Sequence, residues 1–284
     1  MEHGMRSPLH RLVPPEAVRW ADEYRRSIVQ QVLLQEIVRT IGKTEGQTAA
    51  DVGLGNPVLS LLLRRLGGSW QTVALTDEAE AAAKLTLKDA VHRLTGGCLP
   101  FANKSMDLIV LAGVLERLMD DDAFIEDCHR VLKPTGRLVI ETAHRKTGSL
   151  IPPLERFLDR DPGAMGLPRA GYNESDIFQL LKHGFDVSQV RSYLRFFTRL
   201  NALLSVATYE RSIRLGRTDR ILRRLRFLGR VAAWFAFQMD YLIWFTRGFR
   251  LIVTAKRRAW LPRKTPVLSD GRSISEAVLT RAPK

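Results

Sequence analysis

Thr48-Ala49-Ala50-Asp51-Val52-Gly53-Leu54-Gly55-Asn56-Pro57 is the stretch that decides how this chain is read. A short apolar approach ends at Asp51, glycines follow at 53 and 55, and an apolar run resumes at Val58. That order is strand, glycine turn, helix. Glycine permits positive φ and lets a ligand approach the backbone closely. The exposed N–H groups at the start of the next helix favour an electron-rich ligand. Pro57 suits a first helical turn, where its missing N–H costs nothing. An ordinary tight turn has the same ingredients, so the flanking segments carry the decision.

Upstream, Val18, Ala21, Ile28, Val32, Leu33, Ile37 and Ile41 recur near helical spacing and predict one helix from Pro15 to about Ile41. Downstream, the pattern predicts a helix over 58–66 ended by Gly67-Gly68, and a strand over 70–76 closing on Asp77-Glu78. An alanine-rich helix covers 78–87, and 106–112 reads as an apolar strand buried on both faces. A helix over 121–132, a turn at 133–136 and a strand over 137–143 come next. A Pro- and Gly-rich loop is expected over 144–172, a helix over 174–182, and strands over 185–192 and 249–256. Strands alternating with helices at this spacing predict an α/β, doubly wound, seven-stranded sheet. We expect one domain over 1–284, with a core at 15–193 and 249–258, an insertion at 194–248, and flexible tails at 1–14 and 260–284.

Two features at strand ends point to chemistry. The glycine turn follows the first strand, and Asp77 closes the second, where a carboxylate can accept both hydroxyls of a ribose. A turn for the electron-rich part of a nucleoside, with an acid about 20 residues on, suits a dinucleotide or S-adenosylmethionine. Two motifs separate the alternatives: Leu99-Pro100-Phe101, running on to the strand at 106–112, and Arg130-Val131-Leu132-Lys133-Pro134-Thr135-Gly136-Arg137-Leu138. With the glycine turn, they resemble the class I S-adenosylmethionine-dependent methyltransferases, type 11 group, which includes quinone- and lipid-modifying enzymes. The similarity covers about 48–192 and 249–256.

The resemblance implies a Rossmann-like methyltransferase fold and S-adenosylmethionine as cofactor. It implies that Asp51 orders the turn, that Gly53, Leu54 and Gly55 face the methionine part, and that Asp77 holds the ribose. Cys98 and Leu99 would border the adenine, with Ala112 and Gly113 beneath the cofactor. Three positions depart from the family pattern: Pro57 replaces the third glycine, Gly96-Gly97-Cys98 lacks the acid expected before Leu-Pro-Phe, and Arg117 stands where a histidine is common. In-line methyl transfer asks mainly for alignment, and a base only when the acceptor is protonated. His144, just past the strand at 137–143, is the histidine placed for that role, with Glu116 and Glu141 as alternatives. No metal-like grouping of histidines or cysteines occurs, and the two cysteines make no disulfide framework.

The net charge of +14 is confined to one part of the chain. Between Arg191 and Lys264 there are 18 basic residues against three acids, and 13 of the 22 aromatics. Within 194–248, Ile221, Leu225, Leu228, Ala232, Phe235, Met239 and Leu242 recur at helical spacing, with Arg220, Arg223, Arg224 and Arg230 falling elsewhere. That is the signature of a helix lying in a membrane interface, with Trp234, Tyr241 and Trp244 at headgroup depth. Self-packing, oligomerisation and RNA binding are the competing readings. The best apolar window, 231–245, is too short and too polar to span a bilayer. Residues 1–15 have no apolar h-region, so no secretory signal is expected. The expected location is cytoplasmic, peripheral on the inner face of the membrane, with a small-molecule or lipid-like acceptor. A degenerate binding protein and an RNA methyltransferase are the alternative functions.

Overall fold

The β-branched and leucine-rich strands assemble into one seven-stranded sheet of order β3-β2-β1-β4-β5-β7-β6 in a computed structural model. It describes residues 13–87, 91–146, 151–158, 163, 166–215, 219–243 and 246–260. The strands are β1 (Thr48–Val52), β2 (Ser69–Ala74), β3 (Val91–Arg93), β4 (Met106–Ala112), β5 (Leu132–Ala143), β6 (Phe185–Tyr193) and β7 (Arg250–Arg257). The first five pair in parallel, and β7 runs antiparallel between β5 and β6. The order reverses between β1 and β4, which is where a doubly wound sheet opens a crevice at its carboxyl edge.

Nine helices accompany the strands among the described residues: α1 (Val18–Arg26), α2 (Ile28–Ile41), α3 (Pro57–Leu63), α4 (Asp77–Leu87), α5 (Asp121–Val131), α6 (Ile151–Phe157), α7 (Glu174–Leu181), α8 (Phe196–Arg214) and α9 (Asp219–Leu242). β4 is the centre of the core because its side chains alternate between two packed faces. Ile109 and Leu111 join Phe124, Ile125 and Cys128 of α5 and Ile177 and Leu181 of α7. Leu108, Val110 and Ala112 join Leu34, Ile37 and Ile41 of α2 and Leu59 and Leu63 of α3.

The two sequence motifs that separated the alternatives are physically linked. Arg130 donates to the carbonyls of Leu99 and Phe101 and to Asn103, while its Nε holds Asp127 at 2.7 Å. One arginine on α5 therefore clamps the Leu-Pro-Phe loop. Lys133 Nζ donates to Asp107 Oδ2 at 2.7 Å, and that carboxylate also accepts from the N–H of Thr48. Burial pushes the Asp107 pKa up, but the bonds from Lys133 and Thr48 outweigh it and leave the pKa below its usual range. The amino ends of β1, β4 and β5 are tied at that carboxylate.

The structure departs from the sequence expectations at several points. The helix over 15–41 breaks at Ser27, whose extended backbone and Oγ, accepting from Gln30 N, start α2 afresh. Lys133–Gly136 is not a turn: β5 begins at Leu132, and a register shift between Met106 and Leu108 absorbs the offset. The expected loop over 144–172 contains α6, whose Pro152 and Pro153 fall in a first turn that tolerates proline. The short strand β3 was not expected. The expected tails fall mostly on 1–12 and 261–284, outside the described residues.

The insertion becomes two helices. α8 leaves the sheet after Tyr193, α9 returns before Arg250, and both rows meet β5 at Ala143. The helical pair therefore springs from the carboxyl edge. It is joined by Asp240, buried, which accepts from the N–H groups of Phe197 and Thr198 and so caps the start of α8.

Candidate active site

The glycine turn after β1 is held from below. Asp51 is fully buried and accepts hydrogen bonds from Ser60 Oγ at 2.7 Å and Thr72 Oγ1 at 2.9 Å, with the Arg64 guanidinium 3.5 Å away. Burial pushes the Asp51 carboxyl above its usual range, opposed by Arg64 and by the two hydroxyl bonds. Those partners tie the carboxylate to α3 and β2, so its work is to fix the turn to them. Asn56 starts α3, its Oδ1 accepting from Val58 N at 3.0 Å while its amide reaches the Trp20 carbonyl and Gln30. The Asn-Pro pair is thus an N-cap followed by proline at the first helical position.

Gly53 and Gly55 differ in their surroundings although both have positive φ, +81° and +70°. A Cβ on Gly53 would lie 2.6 Å from Val114 Cγ2 and 2.7 Å from the Ala112 carbonyl, so the backbone there is pressed against the end of β4. A Cβ on Gly55 would meet nothing within 4 Å. The open side of Gly55 belongs to a cleft of about 130 Å³ between the turn, the end of β2 and the start of α4. Its walls include Gly53, Leu54, Asn56, Ala74, Thr76 and Arg117.

Asp77 is not among the residues lining this cleft. β2 ends at Ala74, not at Asp77. Thr76 Oγ1 accepts from Ala79 N and so caps α4, which places Asp77 in that helix's first turn, where an acid is favoured. The Asp77 carboxylate is 92% exposed and paired with Arg93. Alternating apolar residues led the strand two residues too far, and the carboxyl end of β2 presents Ala74 to the cleft instead of an acid. Asp77→Ala is therefore expected to leave cofactor affinity unchanged within about twofold, since an exposed pair contributes little; calorimetric titration of the variant beside wild type checks it.

The other expected positions separate into two groups. The Ala112 carbonyl abuts the turn, and Gly113, with φ of +61°, has Arg250 Nη2 3.7 Å from the place its Cβ would take. Leu99 is buried under the Arg130 clamp, whereas Cys98 is exposed; neither lines the cleft. Arg117 lines it and was noted in the sequence only as a departure.

A buried ionic cluster closes the carboxyl edge beside Gly113. Arg250 Nε and Nη2 bond the two oxygens of Glu141 at 2.5 and 2.6 Å, a bidentate fork, and the Tyr193 hydroxyl donates to the same carboxylate. Burial works against the Arg250 charge, but Glu141, with Tyr193 and Glu116 beyond it, outweighs that and holds the guanidinium pKa well above its ordinary value. Burial and the neighbouring Glu141 raise the Tyr193 pKa likewise. Glu141 is committed to this cluster. Glu116, also buried, accepts from Ala143 N through Oε1, and its Oε2 has no hydrogen-bond partner among the described residues. His144 Nδ1 lies 2.8 Å from the Gly248 carbonyl, to which it donates, and this bond orients the ring.

A larger cavity of about 550 Å³ opens at the starts of α5 and α7. Most of its charged walls are already paired, Asp121 with Arg169 and the Tyr172 hydroxyl, and Arg145 with Asp176. No cluster of three or more metal-ligating side chains occurs among the described residues.

The glycine turn, the end of β4 and the two strands between them fall within residues 50–140, which match the family model described as a methyltransferase domain. The demethylmenaquinone methyltransferase of Tropheryma whipplei (strain Twist) is 29% identical over 140 residues, covering 44% of this chain and 59% of that protein. The ubiquinone/menaquinone biosynthesis C-methyltransferase UbiE of Escherichia coli O1:K1 / APEC is 28% identical over 153 residues, covering 49% and 59%. The chain thus spans less than two thirds of the length of these curated relatives. The fold of the methyltransferase domain resembles that of phosphoethanolamine N-methyltransferase 2 of Haemonchus contortus, solved in complex with S-adenosyl-L-methionine. The TM-score is 0.53 at 18% identity, over 80% of this chain and 53% of that one.

S-adenosylmethionine is the cofactor that the match to the methyltransferase domain model implies, and the turn fits a ligand at its backbone. The open side of Gly55 leaves room for a ligand against the turn. Arg117 offers a partner for a carboxylate. The ribose side has no acid among the lining residues.

Proposed function

We propose that the chain is an S-adenosylmethionine-dependent methyltransferase acting on a small-molecule or lipid-like acceptor at the carboxyl edge of its sheet. The observation that carries this reading is the unfilled space beside Gly55 at the switch point, inside the segment that matches the methyltransferase family. The bound cofactor would supply an electrophilic methyl group on a sulfonium. Gly53, Leu54 and Gly55 would cradle it, Asp51 would keep their turn in shape, and Ala112 and Gly113 would floor the site, with Cys98 and Leu99 on the adenine side. Asp77 is left out of that set because its carboxylate is turned to Arg93 and solvent.

The acceptor's proton, where it has one, would pass to Nε2 of His144, whose ring the Gly248 carbonyl orients. Glu116 Oε2 is the second candidate, and Glu141 is excluded by its bonds to Arg250 and Tyr193. The relatives named for quinone methylation support a small-molecule or lipid-like acceptor. The partner proposed for residues 194–258 is an anionic membrane surface, which makes the location cytoplasmic and peripheral. No described helix is long and apolar enough to cross a membrane.

A second reading, a methyltransferase fold kept for binding without turnover, is favoured by one observation: no acidic side chain lines the cleft. Incubating the protein with methyl-labelled S-adenosylmethionine and a cell lipid extract separates the two. Label is expected in the organic phase, and His144→Ala is expected to slow its appearance by about 10²- to 10⁴-fold. Cofactor binding with no label in any lipid, small-molecule or RNA fraction would establish the second reading.

A further inference from the structure

The sequence pattern gave α9 an apolar stripe of Ile221, Leu225, Leu228, Ala232, Phe235, Met239 and Leu242, read as facing a membrane interface, with self-packing as a competing reading. The structure buries a different one. The seam against α8 is made of small residues: Ala233 and Ala236 are buried, and a Cβ on Gly229 would come within 3.1 Å of Ser205 Oγ. Ala202 on α8 is buried as well, and Asn201 reaches the Gly229 carbonyl. Small residues bring the two helices close and leave the large ones outside. Phe227, Trp234, Phe235, Phe237, Tyr241 and Leu242 are between 59% and 77% exposed. They occupy one side of a 24-residue helix, broad enough that nothing in the hairpin itself covers them.

A contiguous face of this kind on a chain of ordinary hydrophobicity marks a surface that meets something else. Its composition and charge select the occupant. Residues 196–242 hold nine arginines against three acids, and Asp240 is buried in the α8 cap. Arg224 is exposed; the side chains of Arg220, Arg223 and Arg230, and the whole of Trp244, lie outside the described part of the structure. Trp and Tyr beside Phe and Leu suit the headgroup boundary, where amphipathic rings sit half in hydrocarbon and half in water. A polyarginine segment suits anionic lipid.

We infer that the outer face of α9, centred on Trp234, Phe237 and Tyr241, docks the protein on an anionic lipid bilayer. The inference rests on the proposal that 194–258 meets a membrane, and adds which face does so and what that does for the site. Both helices are rooted at the row Ala143–Arg250–Tyr193, on the edge where β1 and β4 also end. Docking through α9 therefore holds the acceptor edge of the sheet next to the bilayer, so that an acceptor dissolved in the membrane reaches it without crossing water. The arginines set the lipid preference and the aromatic face supplies the insertion.

Flotation of the full-length protein with vesicles tests this without any need for cofactor or turnover, so it can fail while the methyltransferase reading stands, and the reverse. The probes are phosphatidylcholine vesicles and phosphatidylcholine vesicles carrying about one third phosphatidylglycerol. Wild type is expected to float with the anionic vesicles and to lose most of that binding at high salt. A variant combining Trp234→Ser, Phe237→Ser and Tyr241→Ser is expected to bind anionic vesicles at least about tenfold more weakly. Its melting temperature should be unchanged, because the three side chains are already in water. Wild type that ignores anionic vesicles would overturn the inference. So would a wild-type dimer in solution that the triple variant converts to monomer, since a second copy would then cover the face.

Discussion

Glu141→Ala is expected to lower the unfolding free energy by about 3 kcal/mol, because it strands the Arg250 guanidinium and the Tyr193 hydroxyl at the sheet edge. Glu141 is fully buried and takes both prongs of the arginine fork. The attraction between the two charges does not by itself make the pair a net stabiliser, since each was removed from water to form it. The informative variant is therefore the double one. Glu141→Leu with Arg250→Met removes both charges, and its stability is expected to come back to within about 1 kcal/mol of wild type. Urea denaturation of the single and double variants measures the difference. A single variant as stable as wild type would mean that solvent reaches Arg250 freely and that the cluster does not hold the edge shut.

Gly53→Ala should cost about 3 kcal/mol and remove measurable cofactor binding, because the added methyl combines left-handed strain with contacts no side chain tolerates. Its Cβ would sit 2.6 Å from Val114 and 2.7 Å from the Ala112 carbonyl, and the φ of +81° is one that alanine adopts only at a penalty. Gly46→Ala isolates the second effect from the first. Gly46 has φ of +73° with nothing within 4 Å of the place its methyl would take, so only the strain remains, about 1 kcal/mol. Thermal melts of both variants, with and without S-adenosylmethionine, are expected to show no ligand-induced shift for Gly53→Ala and a normal one for Gly46→Ala.

The parts of the fold that could be read from the sequence were those in which local and tertiary preferences agree. β4 is apolar along its length because both faces are covered, and its limits were read to the residue. The glycine turn was legible because Gly53 has no alternative, and Asn56-Pro57 announces the helix start on its own. The Arg130–Lys133 run was legible as a family resemblance, and its cause is now visible in the two clamps it makes.

The misreadings share a different origin. At Ser27 a hydroxyl competes for a backbone N–H inside an otherwise periodic stretch, and periodicity is blind to that. At Ala74–Asp77 the choice between strand end and helix start depended on Thr76 acting as a cap, so the acid was assigned to the wrong element. On α9 the pattern showed the large apolar residues, which are mostly exposed, and not the inward seam, because close helix packing rewards small residues at Gly229, Ala233 and Ala236. Arg117 was seen only as the absence of a histidine, whereas it lines the cleft.

The cleft beside Gly55 can be tested without knowing the acceptor. Ala79 lies on the α4 wall of that cleft, on a helix, so Ala79→Trp fills the space with no change of backbone. Calorimetric titration with S-adenosylmethionine is predicted to give one site on the wild-type chain with Kd below about 100 μM, weakened at least about tenfold in Ala79→Trp at an unchanged melting temperature. A wild-type chain silent at millimolar cofactor, or an Ala79→Trp variant that binds as wild type does, would contradict the account.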